Sequence, residues 1–385
     1  MHLHDLSEFL KLSAALNYQL SAAQVGREKL LLTITNNKAL PERDRDLLIE
    51  VFDYLDGAYG RKRRRLGPMA VLHPLRAAAL LTNATANPEM RDLLTVLLHE
   101  KFVDIKQTDH APPEWHDLEQ RFHALLRRID PTDAWYLIER LDLLPRRAGE
   151  SYYTYIGRLV SRAEQTPEIV RVKLADRLDN TLDMRIDVRD PLEDVDFFAH
   201  VFQALFVPKY VGYEPTLAHI SEPLAGGRRL YELFKTVVTL SLVRQHHALA
   251  TDDRGAHLLF DALSVASMKE AQRIVMHIFS YHTTEVSKQR SLLLETMDYC
   301  LRGGVVSVTS PSEPHRLDGL FVEIFDHVDK KVRLDKLHKL AENKDLMVEA
   351  ALAFIVIFLN FIGDPHYYVR GVSAEGISAH PPATH

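Results

Sequence analysis

Residues 172–185 read VKLADRLDNTLDMR. This is a run of helix-forming residues. Positions three and four apart are neighbours on a helix, so Asp176, Asp179, Asn180 and Asp183 fall along one side. Leu174, Leu178 and Leu182 repeat at four-residue spacing on another side, which makes the helix amphipathic. A flank of acids and an amide needs a positive partner, and the natural one is a cation. What these four side chains do depends on whether the rest of the chain supplies further ligands.

The 385 residues leave room for two domains. An apolar share of 46% with 26% charged residues is that of a folded globular chain and argues against wholesale disorder. The net charge of −6 gives no general attraction to nucleic acid or acidic membranes. A single cysteine, Cys300, excludes an intrachain disulfide framework and a zinc ribbon and suits a reducing compartment. The start, MHLHDLSEFLKL, lacks the basic residues and long apolar run of a secretory signal, so a cytoplasmic protein is expected. The most apolar segment, 346–362, is short for a bilayer span and carries Glu349 and Asn360. It reads as a buried core or interface helix.

Strand signals are nearly absent, and apolar residues recur at three- and four-residue spacing between Gly and Pro breaks. The pattern predicts helices over 5–16, 22–33, 42–55, 73–81, 90–102, 114–128, 133–144 and 150–165, with Pro167 opening the helix that contains the 172–185 stretch. A basic connector occupies 57–69. Residues 206–227, with Pro208, Pro215, Pro223 and the Gly226-Gly227 pair, read as a loop or linker. Helical pattern returns over 229–248, 258–279 and 284–302. A hairpin-like or irregular insert follows at 303–315, then helices from 317 to 363 and a disordered tail of about twenty residues. The expected class is all-α, with a helical domain over 1–198 and a second, mostly helical domain over 199–385.

Three segments offer metal ligands: His73 before Pro74, His99-Glu100 near the end of an apolar helix, and Asp176. Two imidazoles with two carboxylates suit Mn²⁺, Fe²⁺ or Zn²⁺. Such an ion polarises a phosphate oxygen and brings the pKa of a bound water towards neutrality. Each residue also has a plainer reading. His73 can cap or pack at a helix start, His99-Glu100 can be structural, and Asp176 can pair with Lys173 or Arg177.

The order of these segments resembles the HD-domain metal-dependent phosphohydrolases, closest to the hydrolase domains of the RelA/SpoT proteins and the small alarmone hydrolases. The resemblance rests on Arg64, Gly67 and Val71-Leu72-His73-Pro74, then Leu97-Leu98-His99-Glu100, then Lys173-Leu174-Ala175-Asp176-Arg177 with Asn180. It spans roughly residues 40–190. It implies an HD-type helical bundle holding a divalent ion, most simply Mn²⁺, on His73, His99, Glu100 and Asp176. It also implies that Asp104 orients or deprotonates the attacking water, with Glu100 catalytic as well. The substrate it implies is a nucleotide or (p)ppGpp-like, bound by Arg64 and Asn180; Asp179 and Asp183 are left as surface acids. An Arg at the place of Arg64 would lie against a base, with neighbouring cations on phosphates.

The chain departs from that pattern at Glu100, where the family has Asp; at Val103-Asp104, where it has Glu-Asp; and at Ile105, where it has Thr. One extra methylene at Glu100 would require His73 or the ion to shift. The alternative function is therefore a catalytically silent HD scaffold that binds a nucleotide or a protein. The five cations Arg61–Arg65 cannot all face one pocket, so some are solvated or meet another polyanion. Tyr152, Tyr153 and Tyr155 read as helix packing or a nucleotide-pocket wall. The C-terminal helices, with 350–362 as the apolar face, are candidates for self-association or a protein partner. Neither membrane nor nucleic acid is expected as a partner. The helical second half also differs from the sheet-based synthetase domain of long RelA/SpoT proteins, so alarmone synthesis is not expected.

Overall fold

The computed structural model describes residues 2–21, 26–60, 62–64, 69–185, 197–212, 226–309, 315–321, 324–325 and 327–377. Arg61, Arg65, Gly67, Pro215 and Pro223, and the ends expected at 22–25 and 378–385, lie outside the described residues. Among the described residues fifteen α-helices carry nearly all regular structure. The strands are a two-residue antiparallel pair, β1 (Val372–Ser373) and β2 (Gly376–Ile377). The chain is all-α, as its periodicity predicts.

The chain forms two compact units that interleave in sequence. One comprises Met1–Arg146, Ser161–Leu182 and Ala248–Leu263; the other comprises Arg147–Val160, Asp183–His247 and Ser264–His385. This differs from a single division after residue 198. The reason is visible in α8 (Tyr152–Val160), whose three tyrosines, Ile156 and Leu159 are buried and which packs on α11 (Gly226–Gln245) of the second unit. Gly157 permits a close approach there, since a Cβ on it would stand 2.5 Å from the Cβ of Ala374.

The first unit contains α1 (Leu6–Ser21), α2 (Arg27–Ile34), α3 (Glu42–Tyr59), α4 (Leu72–Ala84), α5 (Met90–Leu98), α6 (Pro112–Arg128) and α7 (Pro131–Leu143). Two prolines open helices where their missing N–H costs nothing, at Pro112 and Pro131, the latter after an Asp130 cap on the Thr132 amide. Helix α4 is the hub. Its Ala77-Ala78-Ala79 run lets α1, α2 and α5 come close, and every residue from Leu72 to Thr82 is buried.

Helix α5 stops at Leu98, four residues before the expected end. Beyond it the backbone tightens, with the amides of Val103 and Asp104 both on the Glu100 carbonyl. Buried Lys101 helps fix this turn through its 2.7 Å pair with Glu119, over the ring of Phe122. His99 and Glu100 thus leave from a turn and not from a helix face.

Helix α9 (Pro167–Asp183) carries the 172–185 stretch up to its last turn. It is not amphipathic as expected. Leu174, Ala175, Leu178 and Leu182 are buried, and so are Asp176, Asp179, Thr181 and Asp183. Asp179 and Asp183 are therefore not surface acids. A helix can bury its polar flank when partners satisfy it. Here Glu168 pairs with Arg140, and Arg171 with Asp92 and Asp253 at 2.9 and 2.8 Å.

The second unit adds α10 (Phe197–Phe206), most of α12 (Arg254–Tyr281), α13 (Val286–Leu301), α14 (Lys330–Glu342) and α15 (Lys344–Gly363). Gly226 and Gly227 open α11 and are not linker. A Cβ on Gly227 would stand 2.2 Å from the Leu337 carbonyl oxygen, so glycine admits the α14 backbone. Residues 303–309 are irregular, as expected. Helix does not resume at 317, however. The stretch before α14 is irregular and inserts Phe321 and Phe325 against Phe354, with Phe325 also stacked on Phe234. The supposed tail is likewise ordered through residue 377, with Val369 and Val372 buried. Helix α15 is long and apolar enough to cross a membrane by composition, but 67% of its apolar window is buried inside the protein. Alanines 350, 351 and 353 and Phe354, Val356, Ile357 and Phe358 are core, while Leu359 and Ile362 are exposed. The three tyrosines of α8 are packing residues: Tyr153 sits edge-on to Phe234, and Tyr152 edge-on to Tyr155.

Candidate metal centre

Helix α4, the turn after α5 and helix α9 bring His73, His99, Glu100 and Asp176 together within the first unit. One ligand atom from each lies within 4.8 Å of all the others. The Nε2 atoms of His73 and His99 are 3.1 Å apart. Asp176 Oδ1 lies 3.3 Å from His73 Nε2 and 3.8 Å from His99 Nε2. Glu100 Oε1 lies 3.5 Å from His99 Nε2 and 3.9 Å from His73 Nε2. The longer glutamate therefore reaches the group from its turn.

The two rings are aimed by their other nitrogens. His99 Nδ1 lies 2.6 Å from the Val96 carbonyl, which can only accept, so this nitrogen carries the proton. His73 Nδ1 lies 2.6 Å from Asp179 Oδ2. Asp179 is ionised: burial opposes the charge, but Arg76, His73 and Arg64 hold its carboxyl far below the usual carboxylate range. His73 Nδ1 is thus a donor as well. Both Nε2 atoms then point lone pairs at each other unless a positive species stands between them.

The charges around the site favour such a species. Burial and Arg64 act to lower His73, yet Asp179 and Asp176 outweigh them and push it up to about 9, so a proton is held where a cation fits. Burial lowers His99, which keeps a neutral ligand nitrogen. Burial also opposes charge on Asp176, but Lys173 and the two histidines hold its carboxyl well below the usual range. Four ligands about 2.1 Å from a tetrahedral ion stand about 3.4 Å from one another, close to the separations of 3.1–3.9 Å that involve the two histidine nitrogens. Donor set, tautomers and spacing all fit a divalent ion.

Asp176 combines the two readings open from its sequence. Its Oδ1 faces the histidines and accepts from Asn180 Nδ2 at 2.6 Å, while Oδ2 takes Lys173 Nζ at 2.8 Å. Asn180 Oδ1 accepts from Arg64 Nη2 at 2.5 Å, and Arg64 Nη1 lies 3.2 Å from Asp179. The two expected substrate residues thus hold each other at the edge of the site. Asp104 stays outside the four-residue group. It is half-exposed, and Lys62 meets both its carbonyl, at 2.8 Å, and its carboxylate, at 3.7 Å. Ile105 is buried and Val103 exposed.

Sequence reasoning missed Asp179, Arg76 and Tyr59. Arg76 is fully buried, forks onto Asp179 at 2.7 and 3.1 Å and lies over the ring of Phe9. An arginine one turn past His73 in an otherwise apolar helix was the available signal. Tyr59, at the end of α3, is raised well above its ordinary value, by burial first and then by Glu100 and Asp104, so its hydroxyl stays a donor beside those acids.

The class that fold and site define is an all-α protein with a two-histidine, two-carboxylate cluster, buried except at half-buried Glu100. No protein-family model, curated protein or solved structure matches the chain.

Proposed function

We propose that the protein is a metal-dependent phosphohydrolase of the HD type, acting on a nucleotide or a (p)ppGpp-like phosphorylated nucleotide. The observation that carries this reading is the convergence of His73, His99, Glu100 and Asp176 with the Nε2 atoms of both histidines turned inward. A divalent ion bound there, Mn²⁺ by preference and Fe²⁺ or Zn²⁺ as alternatives, would supply Lewis acidity towards phosphorus and an acidified water. The remaining work falls to the chain's own side chains. Arg64 exchanges its contacts with Asp179 and Asn180 for the substrate base, and the freed Asn180 Oδ1 accepts a hydrogen bond from that substrate. Lys62 adds positive charge at the same edge. Asp104, one turn beyond Glu100 and open to solvent, takes the proton from attacking water.

Metal analysis of the purified chain, followed by phosphate release from nucleotide substrates with added Mn²⁺, tests the reading. Close to one equivalent of metal and turnover abolished by Asp176→Ala are expected. No metal uptake and no turnover on any nucleotide would refute it.

A second reading, a silent scaffold that binds a nucleotide or a protein, draws on Val103 in place of an acid and on the mutual closure of Arg64 and Asn180. Activity that appears only after Glu100→Asp with Val103→Glu would select it. Activity in the parent would exclude it.

A further inference from the structure

Each arm of the Arg64 guanidinium reaches a residue of the cluster through one intermediary. Its Nη1 lies 3.2 Å from Asp179 Oδ2, the oxygen that stands 2.6 Å from His73 Nδ1. Its Nη2 donates to Asn180 Oδ1 at 2.5 Å, and Asn180 Nδ2 donates in turn to Asp176 Oδ1, the oxygen facing the histidines, at 2.6 Å. Asp179 Oδ2 is crowded. Besides His73 and Arg64 it accepts from Arg76 Nη2 at 3.1 Å, although a carboxylate oxygen offers only about two lone-pair sites. Donors on one oxygen compete for its charge, so Arg64 weakens the bond that makes His73 electron-rich at Nε2. Along the other arm Arg64 polarises the Asn180 amide, whose Nδ2 then draws more strongly on Asp176 Oδ1. Both arms take electron density from an atom that would meet a cation.

We propose that Arg64 is a positioning residue that couples substrate to metal: paired with Asp179 and Asn180 it loosens the cluster's hold on a divalent ion, and drawn off by a substrate base it tightens that hold. The coupling rests on the phosphohydrolase reading above. Of the two arginines on Asp179, Arg64 is the one able to leave. Arg76 is fully buried and forks onto both carboxylate oxygens, whereas the Arg64 side chain keeps 24% of its surface exposed. Arg76 also stays behind as the counter-ion of Asp179, so the departure of Arg64 strands no buried charge. By linkage, an ion in place raises the affinity for the base by the same factor. The chain then holds its ion most firmly when a substrate is present.

Titration calorimetry with Mn²⁺ tests the coupling. Loss of a histidine's carboxylate partner costs about 10–100-fold in metal affinity, so removing a competitor for that carboxylate recovers a part, about 3–10-fold. Arg64→Gln should bind Mn²⁺ more tightly than the parent by that factor, a gain that unfolding cannot produce. Lys62→Gln removes a cation from the same edge whose partners are Asp104 and Asp109, and should change the affinity by less than about twofold. Guanosine or adenosine, a base with no phosphate to chelate the ion, should tighten Mn²⁺ binding to the parent and leave Arg64→Gln unchanged. In the metal-free chain labelled with ¹⁵N-histidine, the His73 Nδ1 proton should move downfield in Arg64→Gln as its bond to Asp179 strengthens.

Mn²⁺ bound equally by the parent and by Arg64→Gln would overturn the coupling and leave the phosphohydrolase reading standing. So would a gain matched by Lys62→Gln, which would be a general effect of charge. An unmoved His73 proton would overturn it as well, as would nucleosides that act alike on parent and variant or on neither. A chain that takes up no Mn²⁺ in any of these forms would overturn both the coupling and the phosphohydrolase reading.

Discussion

Asp179 Oδ2 lies 2.6 Å from His73 Nδ1, on the far side of the ring from His99. A carboxylate behind a histidine fixes the tautomer and strengthens the ring as a ligand, and losing such a partner costs about 10–100-fold in metal affinity. Asp179→Asn should therefore weaken divalent-metal binding by about that factor. It should also cost about 3–5 kcal/mol of stability, because fully buried Arg76 would lose the carboxylate onto which it forks. Titration calorimetry with Mn²⁺ and denaturant unfolding measure the two effects. Lower stability with unchanged metal affinity would leave Asp179 a purely structural residue.

Lys173 holds the outer oxygen of Asp176 and leaves the inner one to face the histidines. Removing the lysine should disturb the site without emptying it. Lys173→Met, which keeps the length of the stem, should lower metal affinity about tenfold or less, whereas Asp176→Ala should abolish binding. Metal content after dialysis against a weak chelator distinguishes the two variants. Equal loss in both would mean that Lys173 positions the whole turn of α9 and not one carboxylate.

What could be read from the chain follows the range of the interactions. The helices and the four residues of the cluster are written locally, in 3.6-residue periodicity and in short segments around His73, His99 and Asp176. The role of Asp179 is not local. It depends on Arg76, about a hundred positions earlier, and without that partner an acid on a helix reads as a surface group. The same gap hid α10, whose ten residues include neither a charge nor a polar stripe to mark its outer side. It also hid Gly226 and Gly227, which punctuate a sequence equally well as a linker and as a close helix contact.

Those close contacts make a direct test of packing. Gly157→Ala would press a methyl against Ala374, and Gly227→Ala against the Leu337 carbonyl. Overpacking of this kind costs about 1–3 kcal/mol. Gly363, at the end of α15, has nothing within 4 Å of the added atom. Alanine there should be neutral or slightly stabilising, since it removes freedom from the unfolded chain. Thermal melting of the three variants should separate the first two from the third. Similar melting temperatures would mean that α8 and α14 shift outward freely.

Asp92 gives the chain a pH dependence away from the His73–Asp176 cluster. Burial raises its carboxyl from the ordinary 3.8 to about 6, against the opposing pull of Arg171 at 2.9 Å, with Glu168 adding to the rise. The folded state then holds a proton that the unfolded state releases. The contribution of Asp92 to stability is therefore largest below about pH 4 and is lost as pH rises through 6, by about 1–3 kcal/mol. Asp92→Asn keeps the shape without the titration, and Arg171 retains Asp253 at 2.8 Å. The difference in unfolding free energy between variant and parent should thus shift in favour of the variant between pH 4 and pH 7. Urea titrations at closely spaced pH values read that difference, and a difference that stays flat would show that the Arg171 pair offsets the burial of Asp92 in full.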